Sequence, residues 1–200
     1  MQSMNFSKLR RDLDEAITFA QLDVASNLAQ QGLRAAQACE NLGEIGYFRA
    51  QQFIIDENYE AAIEHLHFAI QHNPSDGAAY NDLALCTIEL GGSIMDALNY
   101  FDKGIAVEPD YASVYHNKGW YLNQLNRSHE AIGYLKKALE LEPNRAVTYE
   151  NLADAYFNLG IIQGAITAYN QALKMIKSSH TDIREQIEAK IKMLIDQTSH

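Results

Sequence analysis

The chain has 200 residues, 47% of them apolar and 21% charged, a composition that builds a packed core and excludes an intrinsically disordered tract. Lysine and arginine number 16 against 26 aspartates and glutamates, a net charge of −10, which repels a phosphate backbone and excludes nucleic acid as the expected partner. Two cysteines, Cys39 and Cys86, are too few and too scattered for a disulfide framework or a zinc site; no apolar run has the length of a membrane span, and Met1 to Arg10 lack the apolar stretch of a signal peptide, so the expected location is the cytoplasm.

Residues 6–42 read as two helical segments. Leu9, Leu13, Ala16, Ile17 and Ala20 recur at helical spacing on the first, and Val24, Leu28, Gly32, Leu33 and Ala36 on the second. Ala25, Ala29 and Gly32 echo a small–large–small spacing met again downstream, but without the large residue. Two readings stay open for residues 1–42: a degenerate repeat that caps the N-terminal end, and a separate docking hairpin.

From residue 43 onward a unit recurs. Pro74, Pro109 and Pro143 are spaced 35 and 34 residues apart. Ahead of each lies an alanine, a large residue four later and a small one three after that: Ala62, Leu66, Ala69; Ala97, Phe101, Gly104; Ala131, Leu135, Ala138. A fourth copy, Ala165, Tyr169, Ala172, is followed by Lys177 in place of proline. Offsets of four and three put each trio on one helical face. Upstream of each trio a second helical pattern carries Ala50, Ala84, Gly119 or Ala153, and in three copies it begins with Tyr80, Tyr115 or Tyr149. Leu90-Gly91, Leu125-Asn126 and Leu159-Gly160 mark the turns between the two helices. One amphipathic pair cannot bury its apolar face alone, whereas stacked pairs bury it continuously. Small residues belong where two backbones cross closely, and proline ends the second helix and directs the chain onward.

This pattern resembles the tetratricopeptide repeat, a 34-residue helix–turn–helix unit. The resemblance implies an all-α, right-handed α-solenoid of stacked antiparallel helix pairs, with four repeats at 43–76, 77–111, 112–145 and 146–179. The second repeat has one extra residue near Gly92-Ser93, the first has Gly46 where an aromatic is expected, and Arg49 and Lys118 stand where leucine is usual. Their aliphatic stems are expected to cover core while the charges reach solvent. Residues 180–200 are expected to supply a capping helix and tail, with Ile183, Ile187, Ile191 and Leu194 as its apolar stripe. A sharper alternative folds this helix back into the groove or onto a second copy.

In the family the first helix of each pair lines a concave groove. Carried over position by position, that groove receives Tyr47 and Gln51, with Glu44 and Ile54, from the first repeat. The second contributes Asn81, Asp82 and Leu85, with Ala78 and Ile88. The third contributes His116, Asn117, Trp120 and Asn123, and the fourth Glu150, Asn151, Asp154 and Phe157, with Val147. Asp82, Asn117 and Asn151 hold one repeat position. An asparagine amide donates and accepts, so a ladder of them pairs with an extended peptide backbone; a solvated polar wall is the plainer reading. Trp120, the sole tryptophan, suits either a binding hot spot or core packing.

Among these positions acids occur and no lysine or arginine, so the expected partner segment is basic or neutral. Members that clamp a chaperone's C-terminal carboxylate use lysine, arginine and asparagine where this chain has Tyr47, Gln51, Ser113 and Asn117, so no such clamp is expected. His65 and His72 lie two turns apart, too far to share a metal along one helix, and no phosphate loop or nucleophile motif appears. No metal, cofactor or catalytic residue is expected, and the chain reads as no enzyme. The sequence therefore points to a protein-interaction module or scaffold, as a chaperone or assembly adaptor that holds an extended or helical partner segment. The alternative is a structural solenoid that self-associates into a homo-oligomer through its terminal helices.

Overall fold

The computed structural model describes residues 5–178 and 180–198; positions 1–4 and 199–200 of the expected end segments, and position 179 of the last expected repeat, lie outside the described residues. Every regular element among the described residues is a helix: α1 (Phe6–Thr18), α2 (Leu22–Ala38), α3 (Leu42–Ile55), α4 (Tyr59–His72), α5 (Gly77–Glu89), α6 (Ile94–Val107), α7 (Ala112–Gln124), α8 (Ser128–Leu141), α9 (Ala146–Asn158), α10 (Ile162–Met175) and α11 (Thr181–Thr198). They gather into two compact units, Met1–Pro109 with α1–α6 and Asp110–His200 with α7–α11. The architecture is all-α, built from the stacked helix pairs of an α-solenoid.

Short turns explain the pairing. Three residues join α1 to α2, α3 to α4, α7 to α8 and α9 to α10, while the extra residue of the second repeat gives α5 and α6 a four-residue turn, Leu90–Ser93. The second residue of each turn takes a left-handed backbone: Ala20, Glu57, Gly91, Asn126 and Gly160 have φ between 52° and 70°. That conformation lets the next N–H reach back into the helix just ended, as Asn58 N does to the Phe53 carbonyl at 2.8 Å. Gly91 and Gly160 adopt it without a Cβ clash. The following helix is started by a side-chain cap where the residue allows: Asn41, Asn58, Asp76 and Ser93 each accept from a backbone N–H three residues on.

In the first unit the core is a row of small residues with large ones set between them. Ala62, Leu66 and Ala69 of α4 and Ala97, Phe101 and Gly104 of α6 are buried, as are Phe48 and Leu83 of the preceding helices. The second helix of the N-terminal segment packs through Ala25, Ala29, Gly32 and Ala36; of the expected stripe Gly32 and Ala36 are buried, Leu28 and Leu33 half-buried, and Val24 is 48% exposed. The large residue missing from the α2 trio comes from the neighbouring helix, because the Phe48 ring occupies the place a side chain on Gly32 would take. Gly46, where an aromatic was expected, faces the Ala69 backbone, whose nitrogen a Cβ at this position would approach to 2.8 Å. The aromatics Tyr47 and Phe48, both buried, follow it directly.

In the second unit Ala131, Leu135 and Ala138 of α8 and Ala165, Tyr169 and Ala172 of α10 repeat the pattern, and Gly119 admits the Leu135 side chain. Lys118 departs from the expected snorkel. The residue is only 5% exposed and its Nζ lies 4.4 Å from the centroid of the Tyr134 ring, a cation–π contact rather than a solvated charge. Arg49 is exposed. On α11, Ile187 and Leu194 are buried while Ile183 is 39% exposed. Arg184 Nη1 donates to the carbonyls of Leu173 and Ile176, which ties α11 to the end of α10.

A methyl group added at Gly32 would lie 2.3 Å from the Phe48 ring, whereas one at Gly133, inside α8, would meet nothing within 4 Å. Gly32→Ala should therefore cost about 1–3 kcal/mol in urea unfolding, and Gly133→Ala should gain about 0.5–1 kcal/mol through helix propensity. Equal responses at the two positions would contradict this packing.

Candidate functional site

The first helices of the pairs in the first unit are α1, α3 and α5, and their polar side chains are closed on one another. Gln51 Nε2 donates to Asp82 Oδ2 at 2.5 Å and Asn81 Nδ2 donates to Oδ1 at 3.0 Å. Tyr47, Gln51 and Asn81, expected on a groove wall, are each buried to 6% exposure or less, because a polar side chain between packed helices is held by its neighbours and not by solvent. Leu85 is half-buried. Burial pushes the Asp82 carboxyl up to about 7, against the pull of the Asn81 and Gln51 hydrogen bonds and with the help of the Asp14 and Asp76 charges.

A cation also enters this face from a helix that the groove positions did not include. Arg10 of α1 donates through Nη1 and Nη2 to both carboxylate oxygens of Asp76, at 2.9 and 2.7 Å, and through Nε to Glu44 at 3.1 Å. Its guanidinium lies 3.6 Å from the centroid of the Tyr47 ring. Burial raises the Glu44 carboxyl and outweighs the opposing charge of Arg10. Asp76 simultaneously accepts the Ala79 N–H as the cap of α5.

In the second unit α7 and α9 provide the corresponding face. Its third-repeat residues divide into two kinds. His116 is buried, with Nδ1 2.9 Å from Thr148 Oγ1 and Nε2 3.4 Å from Asn151 Nδ2. Burial, reinforced by Arg145, pushes the ring down to about 3, so it is neutral at ordinary pH. Asn123 is likewise buried; its Oδ1 accepts from Ser128 Oγ at 2.6 Å and from Asn158 Nδ2 at 3.1 Å. Ser113 accepts from Arg145 Nη1 at 2.6 Å. Asn117 and Trp120 are half-buried, as is Asn151, and Phe157 is 38% exposed.

The two acids of this face have a partner from α11. Lys190 Nζ lies 2.9 Å from Glu150 and 3.3 Å from Asp154, and Tyr169 donates its hydroxyl to Asp154. Burial alone would lower Lys190, but the Glu150 and Asp154 contacts outweigh it and hold the ammonium up. Arg10 and Asp76 in the first unit, and Thr148, Tyr169 and Lys190 in the second, thus contact the expected groove positions of their own unit without having been among them. Arg10 is 66 residues from Asp76 and Lys190 is 40 from Glu150, beyond the reach of any repeat pattern.

Residues 112–145 and 146–178 match the model of the tetratricopeptide repeat. A thermophilic TPR protein of Thermus thermophilus superposes with a TM-score of 0.73 at 21% identity, over 92% of this chain and 97% of that one. Residues 112–178 thus carry two tetratricopeptide repeats, and the fold is that of tetratricopeptide-repeat proteins. YrrB, described as a TPR protein with an unusual peptide-binding site, superposes with a TM-score of 0.60 at 14% identity, over 88% of each chain. In sequence this chain is 30% identical over 79 residues to Hsp70-Hsp90 organizing protein 2 of Arabidopsis thaliana, a match over 40% of this chain and 14% of that relative. Among the described residues of the repeat chain, no helix is long and apolar enough to cross a membrane.

The raised Asp82 carboxyl has a measurable sign. Unfolded, an aspartate titrates near about 3.9; folded, this one titrates at about 7. The folded state therefore binds the extra proton, and stability present below pH ~4 is lost as pH rises to ~7, by up to about 1.4 kcal/mol per pH unit. Asp82→Asn should remove one proton's worth of that falling slope in urea unfolding followed from pH 4 to 8. An unchanged slope would show that Asp82 ionises normally.

Proposed function

We propose that the α7–α9 face of the second unit holds an extended or helical segment of a partner protein, and that the chain is a protein-interaction module or assembly adaptor. The supporting observation is the division of labour on that face. His116 and Asn123 are buried and hydrogen-bonded between helices, while Asn117, Trp120, Asn151 and Phe157 stay partly exposed on two successive repeats. The rigid set fixes the exposed set, and preorganised side chains spend less entropy on binding.

Asn117 and Asn151 hold the same position one repeat apart, and their amides suit the N–H and C=O groups of a peptide backbone. Trp120 and Phe157 offer aromatic surface beside them, the residue type that dominates binding energy at interfaces. Lys190 neutralises much of the Glu150 and Asp154 charge, so the segment that fits is neutral to mildly basic. A carboxylate clamp does not suit the clamp positions, since Tyr47, Gln51 and Ser113 are buried and engaged with other groups. The likeness to YrrB favours peptide binding as the use of this architecture. The second reading, self-association through a terminal helix, draws on the exposed Ile183 and Met193 of α11, and a mass that rises with concentration in sedimentation would select it.

Selection of phage-displayed peptides on the whole chain, followed by titration of a selected peptide, tests the leading reading. Trp120→Ala should weaken binding roughly tenfold or more, and Asn117→Ala with Asn151→Ala should weaken it by a similar factor with unchanged helicity. Peptides that keep their affinity for both variants would place binding on another surface.

A further inference from the structure

The first unit contains a side-chain site whose occupant is part of the same chain. Asp76, with its side chain 1% exposed, and Glu44, 14% exposed, face one guanidinium, and the Tyr47 ring covers that guanidinium's flat face. Two parallel N–H···O contacts to one carboxylate, a third to another and an aromatic platform are the features that distinguish a planar, five-donor guanidinium from a compact ammonium. Asp76 is itself held by the α5 cap, where Oδ1 accepts from Ala79 at 3.0 Å, so the residues around the guanidinium come from α3 and the start of α5.

The helix that fills it also sets Phe6 beside Phe48, with ring centroids 6.1 Å apart. α1 buries Leu9, Leu13 and Ala16, while Arg11, Asp12, Asp14 and Glu15 are exposed. It joins α2 through a turn in which Ala20 has a φ of 52°, a left-handed conformation that costs a residue with a Cβ about 1–2 kcal/mol. Of the charged groups on α1, Arg10 faces Glu44 and Asp76, and Asp14 lies near enough to Asp82 to oppose its ionisation.

We propose that Glu44, Tyr47 and Asp76 form an arginine-recognition site that α1 fills from within the chain, so that a partner segment presenting an arginine takes the site when α1 lifts away. Arg10 then acts as an intramolecular stand-in for that ligand. The proposal concerns the first unit and is independent of the α7–α9 reading; either can fail without the other.

The test uses the full chain and two small probes, N-acetyl-arginine amide and N-acetyl-lysine amide. Arg10→Ala empties the cradle and should lower the thermal midpoint by several degrees. The arginine amide should restore it saturably, at least about fivefold more effectively than the lysine amide, and Asp76→Asn in the same background, which keeps the cap, should abolish the recovery. In the wild-type chain, excess arginine amide should speed hydrogen exchange of residues 6–18 and lysine amide should not, a readout that stands even if the Arg10 variant folds poorly. Identical responses to the two probes, absence of saturable recovery, or a doubled mass that shows α1 swapping between copies would overturn the proposal.

Discussion

Helices in this protein approach closely only where side chains are nearly absent, and most of the structure depends on that closeness. Gly32 lets the Phe48 ring lie against the α2 backbone, Gly46 meets the Ala69 backbone, and Gly119 admits the Leu135 side chain. An amphipathic pair of 13 or 14 residues such as α7 and α8 has too little apolar surface to stand alone. It becomes stable when the next pair covers what it leaves open. The alanine and glycine stripe is therefore the condition for burial, and the large residues between the small ones supply the buried area.

Close stacking also decides what the first helices can do. Where they pack tightly, a polar side chain cannot stay hydrated and must find a protein partner. That constraint turns His116 into a neutral bridge between Thr148 and Asn151, and turns Asn123 into an acceptor shared by Ser128 and Asn158. It closes Gln51 and Asn81 on Asp82. The polar groups left partly exposed, Asn117 and Asn151 with Trp120 and Phe157 beside them, are held by a framework of satisfied hydrogen bonds. The proposed recognition surface would thus rest on side chains already held by hydrogen bonds.

Charge is managed by the ends of the chain. The net charge of −10 suggests an acidic face open to solvent, yet Arg10 occupies the Glu44 and Asp76 carboxylates and Lys190 occupies Glu150 and Asp154. The buried bidentate Arg10 contact and the half-exposed Lys190 contact differ in kind. The first is desolvated and geometrically specific, whereas the second is screened by water and contributes little by itself.

Much of the fold was legible in the sequence because its signals are local. The Ala62, Ala97, Ala131 and Ala165 trios, the turn residues and the extra residue near Gly92 all act within one pair of helices, and each pair repeats the same solution. The tertiary structure alone decided which residues of that pattern are wall and which are interior. His116, Tyr47 and Asn123 share the spacing of groove residues, but their burial depends on partners in other helices. The buried line of α2 takes in Ala25 and Ala29 beside Gly32, where the Phe48 ring of α3 supplies the missing bulk. Arg10 and Lys190 reach acids 66 and 40 residues distant, and no periodicity encodes such a meeting. Sequence determined the repeating backbone since helix and turn propensities are short-range, whereas long-range packing determined the chemistry of its face, since desolvation and charge pairing depend on what folds against each side chain.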